Sequence, residues 1–114
     1  MCEFKVKLID NGKEIDLMED VLFAQSGSGQ VLLRNVLGMP ETVNDAIIME
    51  VSVPSEKMVL VKSPILGPLL RFLELQQKCH ESKRFNSEIK NVWTELKGIG
   101  DKLVADLEKE SSNN

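Results

Sequence analysis

The second residue of this chain is a cysteine, and its position offers two adjacent donors to a metal ion. The side chain of Cys2 is small, which is the usual condition for removal of Met1, so we expect the mature chain to start at Cys2. The free amine and the thiolate of Cys2 would then close a five-membered ring on a metal, which suits a square-planar N,S site for Ni(II) or Cu(II). If Met1 stays, its amine, the deprotonated Cys2 amide and the Cys2 sulfur form two fused rings instead. A terminal cysteine alone is more often a small buried or frayed side chain with no ligand.

Other reactive side chains do not form a catalytic set. His80 is the single histidine and follows Cys79 directly, but neighbouring helical residues point about 100° apart and rarely chelate one ion. We therefore interpret this pair as ordinary helix-surface residues. The segment 27–29, Gly-Ser-Gly, leads into a strand and not a helix, which favours a hairpin turn over a phosphate-binding loop. Without a nucleophile, base and orienting acid, we expect no enzyme activity.

Composition indicates a soluble protein with one domain, or one small domain and an appendage. The chain has 114 residues, of which 42% are hydrophobic and 28% charged. It contains no apolar run of membrane-spanning length and no signal-peptide pattern, so we expect a cytoplasmic protein with reduced thiols. The net charge of -4 disfavours binding to phosphate backbones, although Lys5 and Lys7 on one strand face leave RNA binding as an alternative.

Residues 1–63 carry the pattern of a small all-β domain. Phe4, Val6 and Leu8 alternate with lysines, as in a half-buried strand, and the Asn-Gly pair that follows predicts a type I′ turn. Ile15 and Leu17 are expected to face inward on the returning strand. The predicted strands after the first are 13–18, 21–25, 30–37, 46–53 and 58–62, with a break at 38–40. Closing these strands hides their edges, so we predict a small closed or nearly closed β-barrel, SH3-like or related.

Residues 64–110 are predicted to form two amphipathic helices, which makes the fold class mainly β with an α appendage. Pro68 suits the first turn of a helix that runs to about His80, and Asn86 or Ser87 is the candidate N-cap of the second. Alternatively, Phe85 joins a single longer helix. The second helix has an apolar stripe that either packs within the chain or against a second copy: Ile89, Val92, Trp93, Leu96, Ile99, Leu103 and Leu107. Residues 111–114 are expected to be a disordered tail.

Several segments together resemble the CooT family over residues 1 to about 62. They are Met1-Cys2-Glu3 before an alternating strand, Glu19-Asp20-Val21-Leu22, the Gly-Ser-Gly turn, Val31-Leu32-Leu33, Asn35-Val36-Leu37-Gly38, and the strands around 47–53 and 58–61. The resemblance implies a small dimeric β-barrel that binds Ni(II) through the terminal cysteine, Cys2 in this chain, and serves maturation of carbon monoxide dehydrogenase. Related sequences have also been labelled predicted RNA-binding proteins. The two helices are an addition to the family pattern.

These observations predict a nickel-binding accessory protein, either a metallochaperone or a nickel store, that binds Ni(II) through Cys2 at a homodimer interface. A nickel enzyme such as carbon monoxide dehydrogenase is the expected client. A two-fold axis would complete the ligand set, because two mature termini offer two amines and two thiolates. The alternatives are an RNA-binding barrel and a protein-interaction module that uses the helices.

Overall fold

The computed structural model describes residues 3–112, in which six strands precede two helices. The strands are β1 Phe4–Asp10, β2 Lys13–Gly27, β3 Gln30–Asn35, β4 Pro40–Asn44, β5 Ala46–Ser52 and β6 Lys57–Lys62, and the helices are α1 Leu66–Ser82 and α2 Glu88–Ser112. The chain divides into two compact units, the first ending at Gly67 and the second beginning at Pro68. The predicted fold class, mainly β with an α appendage, is confirmed.

The first unit is a six-stranded half-barrel with the strand order β4-β3-β2-β1-β6-β5. Every neighbouring pair is antiparallel except β1 and β6, which are parallel. Strand β2 pairs with β1 along its first part and with β3 along its second. The prediction of two separate strands over 13–25 is wrong, because the positive φ of Asp20 and the irregular pairing beside it bend one long strand without ending it.

The two edge strands, β4 and β5, meet at Asp45. The Asp45 amide donates a hydrogen bond to the Gly29 carbonyl at 2.7 Å, and the Asp45 carbonyl accepts one from the Ser63 amide at 2.9 Å. Asp45 has φ 55°, a left-handed conformation that Asp tolerates better than most residues. The bent segment β4–β5 therefore pairs with β3 on one side of this corner and with β6 on the other.

The core of the half-barrel is a cluster of aliphatic side chains. Its buried members are Val6, Leu8, Val21, Val31, Leu33, Val43, Ala46, Met58 and Leu60. The predicted inward positions on β1 and the inward Leu17 are confirmed, since Phe4 and Leu17 pack against this cluster. Ile15 pairs with the buried Leu8 and so lies on the predicted face, but it is exposed and not part of the core, because it lies close to the hairpin turn.

The segment after β3 differs from the predicted break. Strand β3 ends at Asn35, whose side-chain oxygen accepts hydrogen bonds from the amides of Leu37 and Met39 at 3.0 Å each. These two hydrogen bonds stabilise a tight turn over residues 36–39, and β4 follows directly with Pro40. Proline is compatible with a strand here because β4 lies at a sheet edge and Pro40 is its first residue.

Both predicted hairpin turns are present. Asn11 and Gly12 have φ 53° and 78°, and Ser28 and Gly29 have φ 52° and 76°. Two consecutive left-handed residues define the type I′ turn, whose twist matches that of the flanking strands. The Gly-Ser-Gly segment is thus a hairpin connection, as predicted.

The second unit contains most of α1 and all of α2. The Glu88 amide donates to the Asn86 side-chain oxygen at 2.9 Å, so Asn86 is the N-cap of α2. The alternative of a single longer helix through Phe85 is wrong, because α1 ends at Ser82 and Lys83 adopts φ 55°. Helix α2 continues to Ser112, which is further than predicted and places the first two residues of the predicted tail, 111–112, in the helix. No helix within residues 3–112 is long and apolar enough to cross a membrane.

Candidate metal site

Cys2, the predicted metal ligand, lies outside the described residues, which begin with Glu3. A cleft of about 330 Å³ opens beside the start of β1. Glu3, Lys5, Asp20, Pro54, Ser55 and Glu56 line it. Cys2 immediately precedes Glu3 in the chain. The cleft is therefore lined by the first described residue after the predicted ligand.

The sheet topology explains why these residues meet. The Lys5 amide donates to the Glu56 carbonyl at 2.8 Å and begins the parallel β1–β6 ladder. Phe4 pairs with Val21, which brings the bend of β2 to the same end of β1. Asp20 and Glu56 both have positive φ, at the bend of β2 and in the turn before β6. Local backbone bends on the two neighbours of β1 thus place both acidic residues in one cleft.

The cleft is acidic. It has three carboxylates, Glu3, Asp20 and Glu56, and one ammonium group, that of Lys5. Charge of one sign in a cleft raises the local concentration of ions of the opposite sign, so this surface favours the approach of cations.

The described residues do not themselves form a metal-binding cluster. No group of three or more His, Cys, Asp or Glu side chains among residues 3–112 is placed to hold a metal ion. Nor does the core hold an unpartnered polar group: over the same residues no buried side-chain nitrogen or oxygen lacks a hydrogen-bond partner, and no buried residue is polar. The metal hypothesis therefore depends on the donors of Cys2 and of residues brought to it by a partner.

Known proteins resemble the N-terminal half of the chain, which contains Cys2 and the acidic cleft. A family model described as CO dehydrogenase accessory protein CooT matches residues 1–61, which is more than half of the chain. The chain belongs to the CooT family. The crystal structure of a protein assigned as CooT from Carboxydothermus hydrogenoformans aligns with a TM-score of 0.49 and 21% sequence identity, covering 54% of this chain and 98% of that one. The chain matched no curated protein.

Within the CooT region, the lysines that motivated the RNA-binding alternative are not a free basic face. The Lys7 ammonium lies 3.1 Å from the Glu14 carboxylate and 3.4 Å from that of Asp16, on the adjacent strand β2. Hydrogen bonds to Glu14 and then to Asp16 raise the pKa of Lys7 above its usual value. Lys5 shares its cleft with three carboxylates. A phosphate would have to compete with these acids at both lysines.

The helices lie outside the CooT match and carry the remaining candidate residues. Cys79 is half-buried on α1, and neither it nor the exposed His80 belongs to a metal-binding cluster within residues 3–112. Phe72 on α1 contacts Trp93 on α2 with ring centroids 5.6 Å apart, and Arg71 pairs with Glu95 at 2.9 Å. These two contacts join the helices into an antiparallel hairpin.

Sequence reasoning selected Cys2 and missed the cleft. Asp20 entered the sequence reasoning through the family resemblance and not as a candidate site residue, and Glu56 did not enter it. Neither position is distinctive in the sequence, because Glu56 reaches β1 only through the parallel pairing of two strands that are separated by four others along the chain. The available signal was general: residues of a turn that precedes a strand, such as Glu56 before β6, lie at the end of that strand.

Proposed function

We propose that this CooT-family protein is a nickel-binding accessory protein, a metallochaperone or nickel store, in which Cys2 binds Ni(II) at a homodimer interface. The observation that carries the proposal is the extent of the family match, which begins at residue 1 and so includes Cys2. The family serves carbon monoxide dehydrogenase, a nickel enzyme, and this makes nickel the expected cargo.

The donor chemistry supports nickel over harder metals. A thiolate with an adjacent amine or amide nitrogen suits Ni(II), whereas Mg²⁺ and Ca²⁺ prefer oxygen ligands. A single terminus supplies two or three donors, so a second terminus related by a two-fold axis is the simplest way to complete four. The acidic cleft after Cys2 adds long-range attraction for the cation without supplying a ligand cluster.

Titration with Ni(II) tests this proposal. We expect thiolate-to-nickel charge-transfer absorption that saturates at one Ni(II) per two chains and disappears in Cys2→Ala. Cys79→Ala is the matched control, because it removes the other thiol and should leave the spectrum unchanged. Mass spectrometry of the same sample establishes whether Met1 is present, which decides the nitrogen donor. An unchanged spectrum on titration, or equal binding by Cys2→Ala, would contradict the proposal.

A further inference from the structure

Helix α2 carries an apolar stripe that the described residues leave about half exposed, with Trp93 partly covered by Phe72 on α1. Val92 and Leu96 are buried, but Trp93, Val104 and Leu107 are 47%, 56% and 64% exposed. At about 100° per residue, these three side chains and Gly100 fall within about 60° of one another around the helix axis. The helix has 25 residues and so extends for about 37 Å, which makes the stripe a long, narrow seam.

Charged residues flank the seam in a self-complementary order. Lys90, Lys97, Asp101 and Glu108 are exposed and lie on one side of the stripe, within about 40° of one another. The sequence position midway between Lys97 and Asp101 is 99, and the position midway between Lys90 and Glu108 is also 99. A two-fold axis through this point brings each lysine beside an acidic residue of a second copy.

The same axis aligns the apolar side chains. Trp93 of one copy would lie beside Val104 of the second, while Gly100 lies near the crossing point, where a small residue permits close approach. A parallel pair would instead place this charged side beside the opposite side of the partner's stripe, where Leu96 and Leu103 lie, and would form none of these ion pairs. The charge pattern therefore favours the antiparallel arrangement.

We propose that α2 is a homodimerisation surface, which pairs antiparallel with α2 of a second copy about a two-fold axis near residue 99. Within residues 3–112 neither Lys97 nor Asp101 forms an ion pair, so both are available to the second copy. The seam belongs to the helices, outside the CooT match, and its pairing does not depend on nickel.

Sedimentation of the full chain with a metal chelator at low ionic strength tests this proposal. We expect a dimer whose dissociation constant rises about tenfold or more in Lys97→Glu, which sets two acids against each other twice. The double variant Lys97→Glu, Asp101→Lys restores the opposite charges and should return the constant to within about threefold of the original. Lys102→Glu is the matched control, since Lys102 lies on the opposite side of α2 and the charge change is the same.

A second variant places a charged side chain in the apolar stripe itself. Val104→Lys should yield monomers with an unchanged circular dichroism spectrum, because Val104 is already exposed. A chain that sediments as a monomer, a dimer unaffected by Val104→Lys, or equal effects of Lys97→Glu and Lys102→Glu would each overturn the proposal. Nickel binding is measured separately, so a failure here is distinguishable from a failure of the Cys2 site.

Discussion

Gly29 joins the β2–β3 turn to the corner between the two edge strands. It has φ 76° in the β2–β3 turn, and its carbonyl accepts the hydrogen bond from Asp45 at the corner between the edge strands. A Cβ atom at this position would lie 3.1 Å from the Cα of Gly67. The turn conformation and the close approach of another backbone therefore both require glycine.

We predict that Gly29→Ala destabilises the protein by about 1–2 kcal/mol, because alanine is strained at positive φ and its methyl group meets backbone. Gly27→Ala in the same hairpin is the control. A Cβ there has no neighbour within 4 Å and φ is ordinary, so we expect no loss of stability. Urea denaturation of both variants measures the difference in free energy of unfolding. Equal midpoints for the two variants would show that the corner tolerates a side chain.

The carboxylates of the acidic cleft would attract Ni(II) through charge, which separates their effect from that of the proposed ligand. We predict that the double variant Asp20→Asn, Glu56→Gln lowers Ni(II) affinity about two- to fivefold at low ionic strength, and that 1 M salt removes most of this difference. Both substitutions keep the shape of the side chain, and asparagine tolerates the positive φ of Asp20. This prediction rests on the Cys2 proposal.

A charge-matched control keeps the comparison free of net-charge effects. Asp106→Asn with Glu110→Gln changes the net charge equally on α2, outside the cleft. Isothermal titration with Ni(II) should give this control the affinity of the unmodified chain. An equal loss in both double variants would assign the effect to total charge and not to the cleft.

At the scale of elements, the start of α2 depends on one cap. Asn86 accepts the hydrogen bond of the Glu88 amide, whereas Ser87 contributes its backbone carbonyl to Lys90. We predict that Asn86→Ala costs about 1 kcal/mol and that Ser87→Ala changes stability by less than a third of that. Hydrogen exchange of the first-turn amides of α2 checks both. Greater exchange in Ser87→Ala than in Asn86→Ala would place the cap one residue later.

The elements also show what the sequence predicts well and where it fails. Local chemistry was sufficient for β1, for both hairpin turns and for the existence of two helices, because each depends on neighbours within a few residues. The predictions for Asp20 and Pro40 were wrong. A left-handed residue and a proline both disfavour a strand locally, but pairing with neighbouring strands overrides that preference at both positions. The cleft was missed for a related reason: it depends on the parallel β1–β6 pairing, which no local pattern encodes.

At the scale of the whole molecule, the contacts of residues 64–67 decide where the half-barrel ends. The sequence predicts a boundary after Ser63, whereas the first compact unit extends to Gly67. Leu66 lies between these two limits and is buried, and its amide donates to the Ser63 carbonyl at 3.0 Å. Gly67 approaches both Gly29 and Asp45. Residues 64–67 therefore behave as the last part of the half-barrel, although Leu66 already begins α1.

Two truncated chains, ending at Ser63 and at Gly67, separate the possibilities. Burial of a leucine side chain contributes about 2 kcal/mol, so we predict that the longer chain is more stable by about that amount in urea denaturation followed by circular dichroism. Leu66→Ala in the full chain should lose a comparable 2–3 kcal/mol, which confirms that the side chain and not chain length is responsible. Equal stability of the two truncated chains would instead place the boundary at Ser63 and make Leu66 part of the helical unit.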